Sequence, residues 1–353
     1  MERIVLTGGG TAGHIYPALA VGNLLKEKYN LHYIGTNGME KDIVKKNKDI
    51  VFHEIEAVKF ARKLTFKHFA IPYKLITSVR QCKRLLEEIK PVAVFSKGGY
   101  VSLPVVIAAR RLKIKVISHE SDLSMGLANR IILRFCNVMC TAFEETAKKN
   151  KKCVFTGQPI RAELLNGKKE HLSFYHLLKK NLPNLLIVGG SSGATFLNKL
   201  VKFNIDYLTK HFNVIHITGK NKGETIEHEN YFQVDYAYNM GDFLDCADFV
   251  ISRAGSGAIN EFLALQKPMF LIPLSKAASR GDQVENAKLF YNQGFCEMME
   301  EEAYSKENFT SRMTNLIKND KIFIKNMKKS IKNDACKEIV EIIEKEITAT
   351  QKS

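Results

Sequence analysis

The sequence has no run approaching the ~20 consecutive apolar residues that would carry a helix across a bilayer. It has no Gly-x-x-x-x-Gly-Lys-Ser/Thr phosphate loop, no His-Glu-x-x-His, no Cys-x-x-Cys and no Asp-x-Asp. The first absence argues against a membrane span, and the second excludes a P-loop nucleotidase. Metal chemistry finds no support in the rest. Cys136 and Cys140 stand four apart without an evident His partner and read as core thiols. Without paired aspartates, no divalent ion is indicated on a nucleotide diphosphate, so neither a metal nor a cofactor is expected. A leaving diphosphate would then rest on helix N-termini, hydroxyls and an arginine. The opening Met-Glu-Arg-Ile-Val-Leu-Thr has no basic n-region or apolar h-region, which speaks against a secretory signal. Seven scattered cysteines, an odd number, suit free thiols in a reducing cytoplasm.

What is present is an ordinary globular composition of 353 residues, 45% hydrophobic and 25% charged, enough for about two domains. The net charge of +16 is unevenly spread. Residues 1–160 hold 27 Lys/Arg against 13 Asp/Glu, and residues 161–353 hold 26 against 24. A one-sided basic half suits an anionic partner: nucleic acid, acidic lipid headgroups or a phosphorylated substrate. A generally Lys-rich composition would raise both halves alike. No nucleic-acid recognition motif accompanies the charge, so nucleic acid is not expected as a partner.

The two halves open alike. The apolar run 3–7 leads into Gly8-Gly9-Gly10-Thr11-Ala12-Gly13, and a helical pattern follows from His14 with Pro17 in its first turn. The run 185–188 leads into Gly189-Gly190-Ser191-Ser192-Gly193-Ala194 and an amphipathic stretch from Phe196. Further apolar strands are predicted at 31–34, 92–96, 114–118, 138–141, 153–155, 213–218, 231–234, 248–252 and 268–272. Helices are predicted at 18–29, 74–89, 104–112 and 127–135. The join falls around 160–183, a polar, irregular and basic stretch. Ile339, Val340, Ile343 and Ile347 mark a last helix over 336–348. Apolar strands alternating with helices predict two doubly wound parallel sheets, with ligands at the strand ends in a cleft between them.

Gly8-x-Gly10-x-x-Gly13 either cradles a phosphate at a helix N-terminus or simply shapes a tight turn. A nicotinamide enzyme would also want an acid at the end of the second strand, which reads Tyr33-Ile34-Gly35-Thr36-Asn37-Gly38. In the second half, Ser252-Arg253-Ala254-Gly255-Ser256-Gly257-Ala258 follows a strand and precedes a helix. Glu261, about one turn on, suits a vicinal ribose diol, or is a solvated first-turn acid. Gln283 and Asn286 share a helix face behind Gly281-Asp282 and suit sugar hydroxyls, with ordinary capping by Asp282 the alternative.

Seven segments together resemble the MurG family of bacterial UDP-N-acetylglucosamine transferases: GGGTAGHIYPALA (8–20), SKGGYVSLPVVIAA (96–109), SHESDLSMGLANR (118–130), GQPIR (157–161), GGSSGA (189–194), SRAGSGAINEFLAL (252–265) and GDQVENA (281–287). The resemblance implies a GT-B fold, two Rossmann-like domains across a cleft with the C-terminal helix returning to the first. It implies an acceptor- and membrane-facing domain over 1–162, a UDP-GlcNAc domain over 163–335 and the returning helix over 336–353. It implies an inverting transfer of GlcNAc from UDP-GlcNAc to the 4-hydroxyl of undecaprenyl-diphospho-MurNAc-pentapeptide, at the cytoplasmic face of the cell membrane.

By motif match the donor would meet Arg161, Ser191, Ser192, Gly193, Ala237, Gly255, Ser256, Glu261, Gln283 and Asn286. The acceptor would meet Thr11, Gly13, His14 and Tyr100. One base must take the 4-hydroxyl proton. His14 is the first candidate and Asp122 the second, and a His at a helix N-terminus also suits phosphate binding or capping. The family's usual His-Glu-Gln-Asn reads His119-Glu120-Ser121-Asp122 here. A different lipid acceptor, or a non-catalytic UDP-sugar-binding subunit, are the competing readings.

Residues 59–90 carry nine Lys/Arg against two Glu, interleaved with Phe60, Leu64, Phe66, Phe69, Ile71 and Tyr73. Such a mixture docks on an anionic leaflet, or is a core helix with a solvated basic face.

Overall fold

Strands buried on both faces need apolar residues at nearly every position, and the chain supplies them in short blocks. The computed structural model describes residues 1–57, 71–190, 193–275, 281–330 and 334–351. The chain divides into two compact units. One takes residues 1–161 with the C-terminal segment from 333, and the other takes residues 162–332.

The first unit holds seven strands: β1 Arg3–Thr7, β2 Asn30–Gly35, β3 Ile50–Glu54, β4 Ala93–Ser96, β5 Lys115–Glu120, β6 Val138–Thr141 and β7 Cys153–Phe155. They lie in the order β3-β2-β1-β4-β5-β6-β7, all parallel. The two-residue period of a strand sends alternate side chains into two cores. Ile4, Leu6, Phe95 and Ile117 face one, with Ile15, Ala18, Val21 and Leu25 of the helix Ala12–Leu25. Val5, Val94 and Val116 face the other, with Val79, Cys82 and Leu86 of the helix Ile71–Ile89. The final helix, Ala335–Gln351, places Cys336, Ile339, Ile343 and Ile347 in the first of these cores. Its helical spacing reads correctly, and the returning helix is a structural part of the first unit.

The second unit repeats the device with β8 Asn184–Val188, β9 Asn213–Ile217, β10 Tyr231–Val234, β11 Phe249–Ser252, β12 Met269–Leu271 and β13 Cys296–Met298. The order is β10-β9-β8-β11-β12-β13, again all parallel. Strand order therefore reverses between β1 and β4 in one sheet and between β8 and β11 in the other. Those switch points are where a doubly wound sheet opens a crevice at its strand ends.

Three features depart from the sequence reading. Strands β3 and β13 are not among the expected strands: β3 has the short run Ile50-Val51-Phe52 and is a half-exposed strand at the sheet edge, and β13 buries Glu297 against Arg312 at 3.0 Å. The first helix begins at Ala12, so Pro17 sits in its second turn, without an N–H for Gly13. From residue 162 to 183 the expected join is packed as a wall of the second unit. Lys168 N donates to Asp242 Oδ1 at 2.7 Å, and Phe174 stacks on Phe232 with centroids 5.2 Å apart. Among the described residues no helix is long and apolar enough to cross a membrane.

Candidate active site

At the first switch point the glycine loop follows β1. Gly10 has φ +83°, the left-handed region that favours glycine. A Cβ there would lie 2.7 Å from Tyr100 Cε1, one on Gly9 would lie 2.7 Å from Glu40 Oε1, and one on Gly8 would lie 2.9 Å from His14 O. These three glycines are demanded by the protein's own packing. Gly13 differs, since its Cβ would make only an ordinary contact, 3.8 Å from Thr11 Oγ1.

An acid does serve this loop, four residues beyond Thr36. Glu40 is 1% exposed. It accepts from Thr36 N at 3.0 Å, from the Thr36 hydroxyl and from Gly10 N at 3.3 Å. The carboxylate that a ribose diol would have needed is turned inward to hold the turn. Tyr33 Oη adds a 2.6 Å bond to Gly8 O, and burial pushes its phenol well above the usual range.

The expected acceptor residues gather here. Thr11 Oγ1 and His14 Nδ1 are 2.8 Å apart. The His14 ring borders Gly99, and the Tyr100 ring borders Gly10. Arg161, expected near the donor's diphosphate, lies in the first unit. Its guanidinium stacks 3.9 Å over the Tyr16 ring on the same helix as His14. Arg161 Nε is buried and finds no hydrogen-bond partner among the described residues.

Below the loop lies a cluster that the sequence reading did not pick out. Lys97, just past β4, is 1% exposed. Its ammonium bonds His119 Nδ1 at 2.8 Å and the Ser121 hydroxyl. His119 Nε2 faces Gly157 O at 2.8 Å, so it carries the ring proton and leaves Nδ1 as the acceptor. Burial, then the Lys97 charge, holds His119 well below its ordinary range, while burial lowers Lys97 to about 8. Glu120 folds the following turn by accepting from Asp122 N at 2.9 Å, Gly126 N at 3.1 Å and Asn129 Nδ2 at 3.0 Å. Asp122, the second base candidate, is half-buried in that turn. Lys97 sits inside a quoted motif, but nothing in its immediate neighbours marks it as buried.

At the second switch point the crowding is reversed. Among the described residues, a Cβ on Gly190, Gly255 or Gly257 would meet nothing within 4 Å. Gly193 and Gly189 are packed tightly, 2.4 Å from Thr218 O and 2.5 Å from Ala194 Cβ. Ser191 and Ser192 lie outside the described residues. Gly255 caps the helix Ser256–Ala264, whose Ser256 is buried and whose Glu261 is partly exposed. The loop is braced from behind. Arg253 donates to Ile272 O at 3.0 Å and Pro273 O at 3.2 Å and pairs with Glu301. Asn286, expected beside the sugar, is fully buried and donates to Ala254 O at 3.3 Å, so it supports the same loop. Gln283 Oε1 accepts from Leu274 N at 3.0 Å. Ala237 lies between Tyr236 and Tyr238, whose rings meet edge to face at 5.2 Å. Tyr238 is 89% exposed.

Each unit thus has a glycine loop at its switch point, one crowded by its own protein and one with open backbone at a helix N-terminus, where ligands of such sheets bind. The glycosyltransferase family 28 N-terminal domain matches residues 4–141, and the family's C-terminal domain matches residues 184–343. The chain belongs to glycosyltransferase family 28. Within the family, it is 45% identical to the UDP-N-acetylglucosamine--N-acetylmuramyl-(pentapeptide) pyrophosphoryl-undecaprenol N-acetylglucosamine transferase of Clostridium tetani, over 98% of this chain and 99% of that one. It is 44% identical to the protein of the same name from Lachnoclostridium phytofermentans, again over 98% and 99%. The crystal structure of Acinetobacter baumannii MurG superposes with a TM-score of 0.77 at 24% identity, covering 98% of this chain and all of that one. The family resemblance and the GT-B fold drawn from the seven motifs hold. Among the described residues no group of three or more His, Cys, Asp and Glu could hold a metal ion.

Proposed function

We propose that this glycosyltransferase moves GlcNAc from UDP-GlcNAc to the 4-hydroxyl of undecaprenyl-diphospho-MurNAc-pentapeptide, inverting the anomeric carbon. The observation that carries the reading is near full-length identity of 45% to a transferase named for that sugar and that lipid-linked acceptor.

The second unit, residues 162–332, takes the donor. Open backbone at Gly190, Gly255 and Gly257 leaves room for the diphosphate against the N-terminus of the helix Ser256–Ala264. By the motif match Ser191, Ser192, Gly193 and Ser256 are assigned to the diphosphate as further donors, and Arg161 as a positive charge. Glu261 accepts from the ribose diol, the backbone around Ala237 borders the uracil, and Gln283 reaches the sugar while Asn286 holds the loop. No metal is assigned to the leaving group, whose charge falls on these N–H, hydroxyl and guanidinium donors.

The first unit takes the acceptor at Thr11, Gly13, His14 and Tyr100. Gly8, Gly9 and Gly10 shape the turn, and Gly13 is the position where an acceptor phosphate can approach the helix N-terminus closely. With Nδ1–H donating to Thr11 Oγ1, His14 presents Nε2 as the base for the 4-hydroxyl proton. Asp122 is the second candidate for that proton. The basic half draws the enzyme to the anionic cytoplasmic leaflet as a peripheral protein through residues 59–90. Within that segment, residues 59–70 lie outside the described residues. Tyr73 and Ile76, on the helix Ile71–Ile89, are 69% and 48% exposed and offer apolar contact.

The test is UDP release by purified protein from UDP-GlcNAc, with and without a short-chain lipid-diphosphate MurNAc-pentapeptide, each with and without EDTA. Release that requires the acceptor and survives EDTA is expected. Donor binding without release would overturn the acceptor assignment, and loss of release in EDTA would overturn the metal-free site.

A further inference from the structure

A buried ammonium is costly unless charge or hydrogen bonds answer it. Among the described residues, the hydrogen-bond partners of Lys97 Nζ are neutral groups, the His119 imidazole and the Ser121 hydroxyl. The elements around it bring negative charge nearby: the end of β5 brings Glu120 and the next turn brings Asp122, both favouring the protonated amine. Cys140 on β6, its thiol pushed up to about 12 by burial, stays neutral. The β1 end offers the Thr7 carbonyl to Lys97 N at 2.8 Å. Beyond β7, Gln158 Oε1 accepts from the Ser121 hydroxyl at 3.0 Å.

Glu120 is fully engaged in folding the turn, with three donors on its two oxygens. Asp122 is the other carboxylate, and it follows directly the residue whose hydroxyl Lys97 holds. The link Lys97–Ser121–Gln158 therefore ties the turn carrying Asp122 to two strand ends.

We propose that Lys97 is a positioning residue for Asp122: its ammonium anchors the 121–122 turn through Ser121 and holds the Asp122 carboxylate in place for the transfer. This rests on the proposed function for its kinetic reading. Lys97 itself, 1% exposed, touches no substrate.

The experiment is a double-mutant cycle on the full chain: the unchanged protein, K97M, D122N and K97M/D122N. Each is assayed with UDP-GlcNAc and the short-chain acceptor, and each is unfolded in urea. K97M is expected to lower kcat about tenfold with the KM for UDP-GlcNAc within about twofold. In the D122N background the same substitution is expected to cost less than about threefold, as coupled sites do. An equal factor in both backgrounds, or no loss in K97M, overturns the proposal. If K97M does not fold, S121A takes its place in the cycle. It cuts the anchor and retains the ammonium, and equal factors again overturn. Absence of acceptor-dependent release from the unchanged protein would sink the proposed function instead. The pairing would then be judged on the first unit's urea midpoint, where a coupled shift supports it and additive shifts overturn it.

Discussion

Replacing Gly257 by alanine separates what a glycine does for the fold from what it does for a ligand. Gly257 is the second residue of the helix Ser256–Ala264, and a Cβ there would meet nothing within 4 Å. For the fold alone, alanine in place of helical glycine is favourable by about 0.5–1 kcal/mol. In a unit of this size that raises the unfolding midpoint by roughly 1–4 °C. For the ligand the sign is opposite. If the donor's diphosphate packs on this backbone, a methyl intrudes on the contact and costs about 1–3 kcal/mol. Since 1.4 kcal/mol is tenfold, UDP-GlcNAc binding weakens by roughly five- to 150-fold. Calorimetric titration with UDP-GlcNAc and a thermal melt of the same preparation measure both. G190A is the control: its surroundings are equally open, but φ +81° makes alanine cost about 1–2 kcal/mol, so stability falls. An unchanged Kd in G257A would remove the diphosphate from this loop, and a lowered melting point would refute the packing argument itself.

E40Q leaves one of three buried donors facing an amide NH2, which costs about 1–3 kcal/mol. A urea midpoint for the first unit equal to that of the unchanged protein would show that the carboxylate does not hold the glycine loop. Reversing the charge of Lys63, Lys67 and Lys74 removes about 1 kcal/mol of leaflet attraction for each lost cation. Sedimentation with anionic liposomes should fall by more than a hundredfold in affinity, and undiminished binding in low salt would refute the docking segment. His216 is buried between the Tyr231 hydroxyl at 2.8 Å and Asn198 Oδ1 at 3.1 Å, and burial lowers it to about 4 from an ordinary 6.5. Its unfolded form binds a proton that the folded form refuses between those values. Its contribution is therefore complete above pH 6.5 and is lost as pH falls toward 4, at up to about 1.4 kcal/mol per pH unit. H216Q should flatten the pH dependence of the second unit's stability over that window, and identical slopes would refute the assignment.

Which parts of the molecule were legible follows from how far each signal reaches along the chain. Strands β1, β4, β5, β8 and β11 announce themselves as apolar blocks, and the last helix by a repeat of three and four residues. Both are local periodicities that burial imposes on consecutive residues. Strands β3 and β13 escape because an edge strand can be half polar, and because Glu297 is satisfied by Arg312 on a helix fifteen residues later. The stretch 160–183 reads as a linker because its partners, Phe232 and Asp242, lie some sixty residues on.

The candidate site divides the same way. The sequence by itself determined two glycine loops after strands, two doubly wound sheets, a basic first half and a family. Those are properties of local pattern and composition. Only the tertiary structure decided which glycines are filled by the protein and which stand open. A glycine's neighbours are Glu40, Tyr100 or Thr218, residues tens of positions away, or nothing at all. It alone turned Glu40 inward, placed Lys97 against His119 and Ser121, and made Asn286 a brace behind the loop. Burial and hydrogen bonding are set by what the fold packs around a side chain, and the chain order of a motif does not contain that.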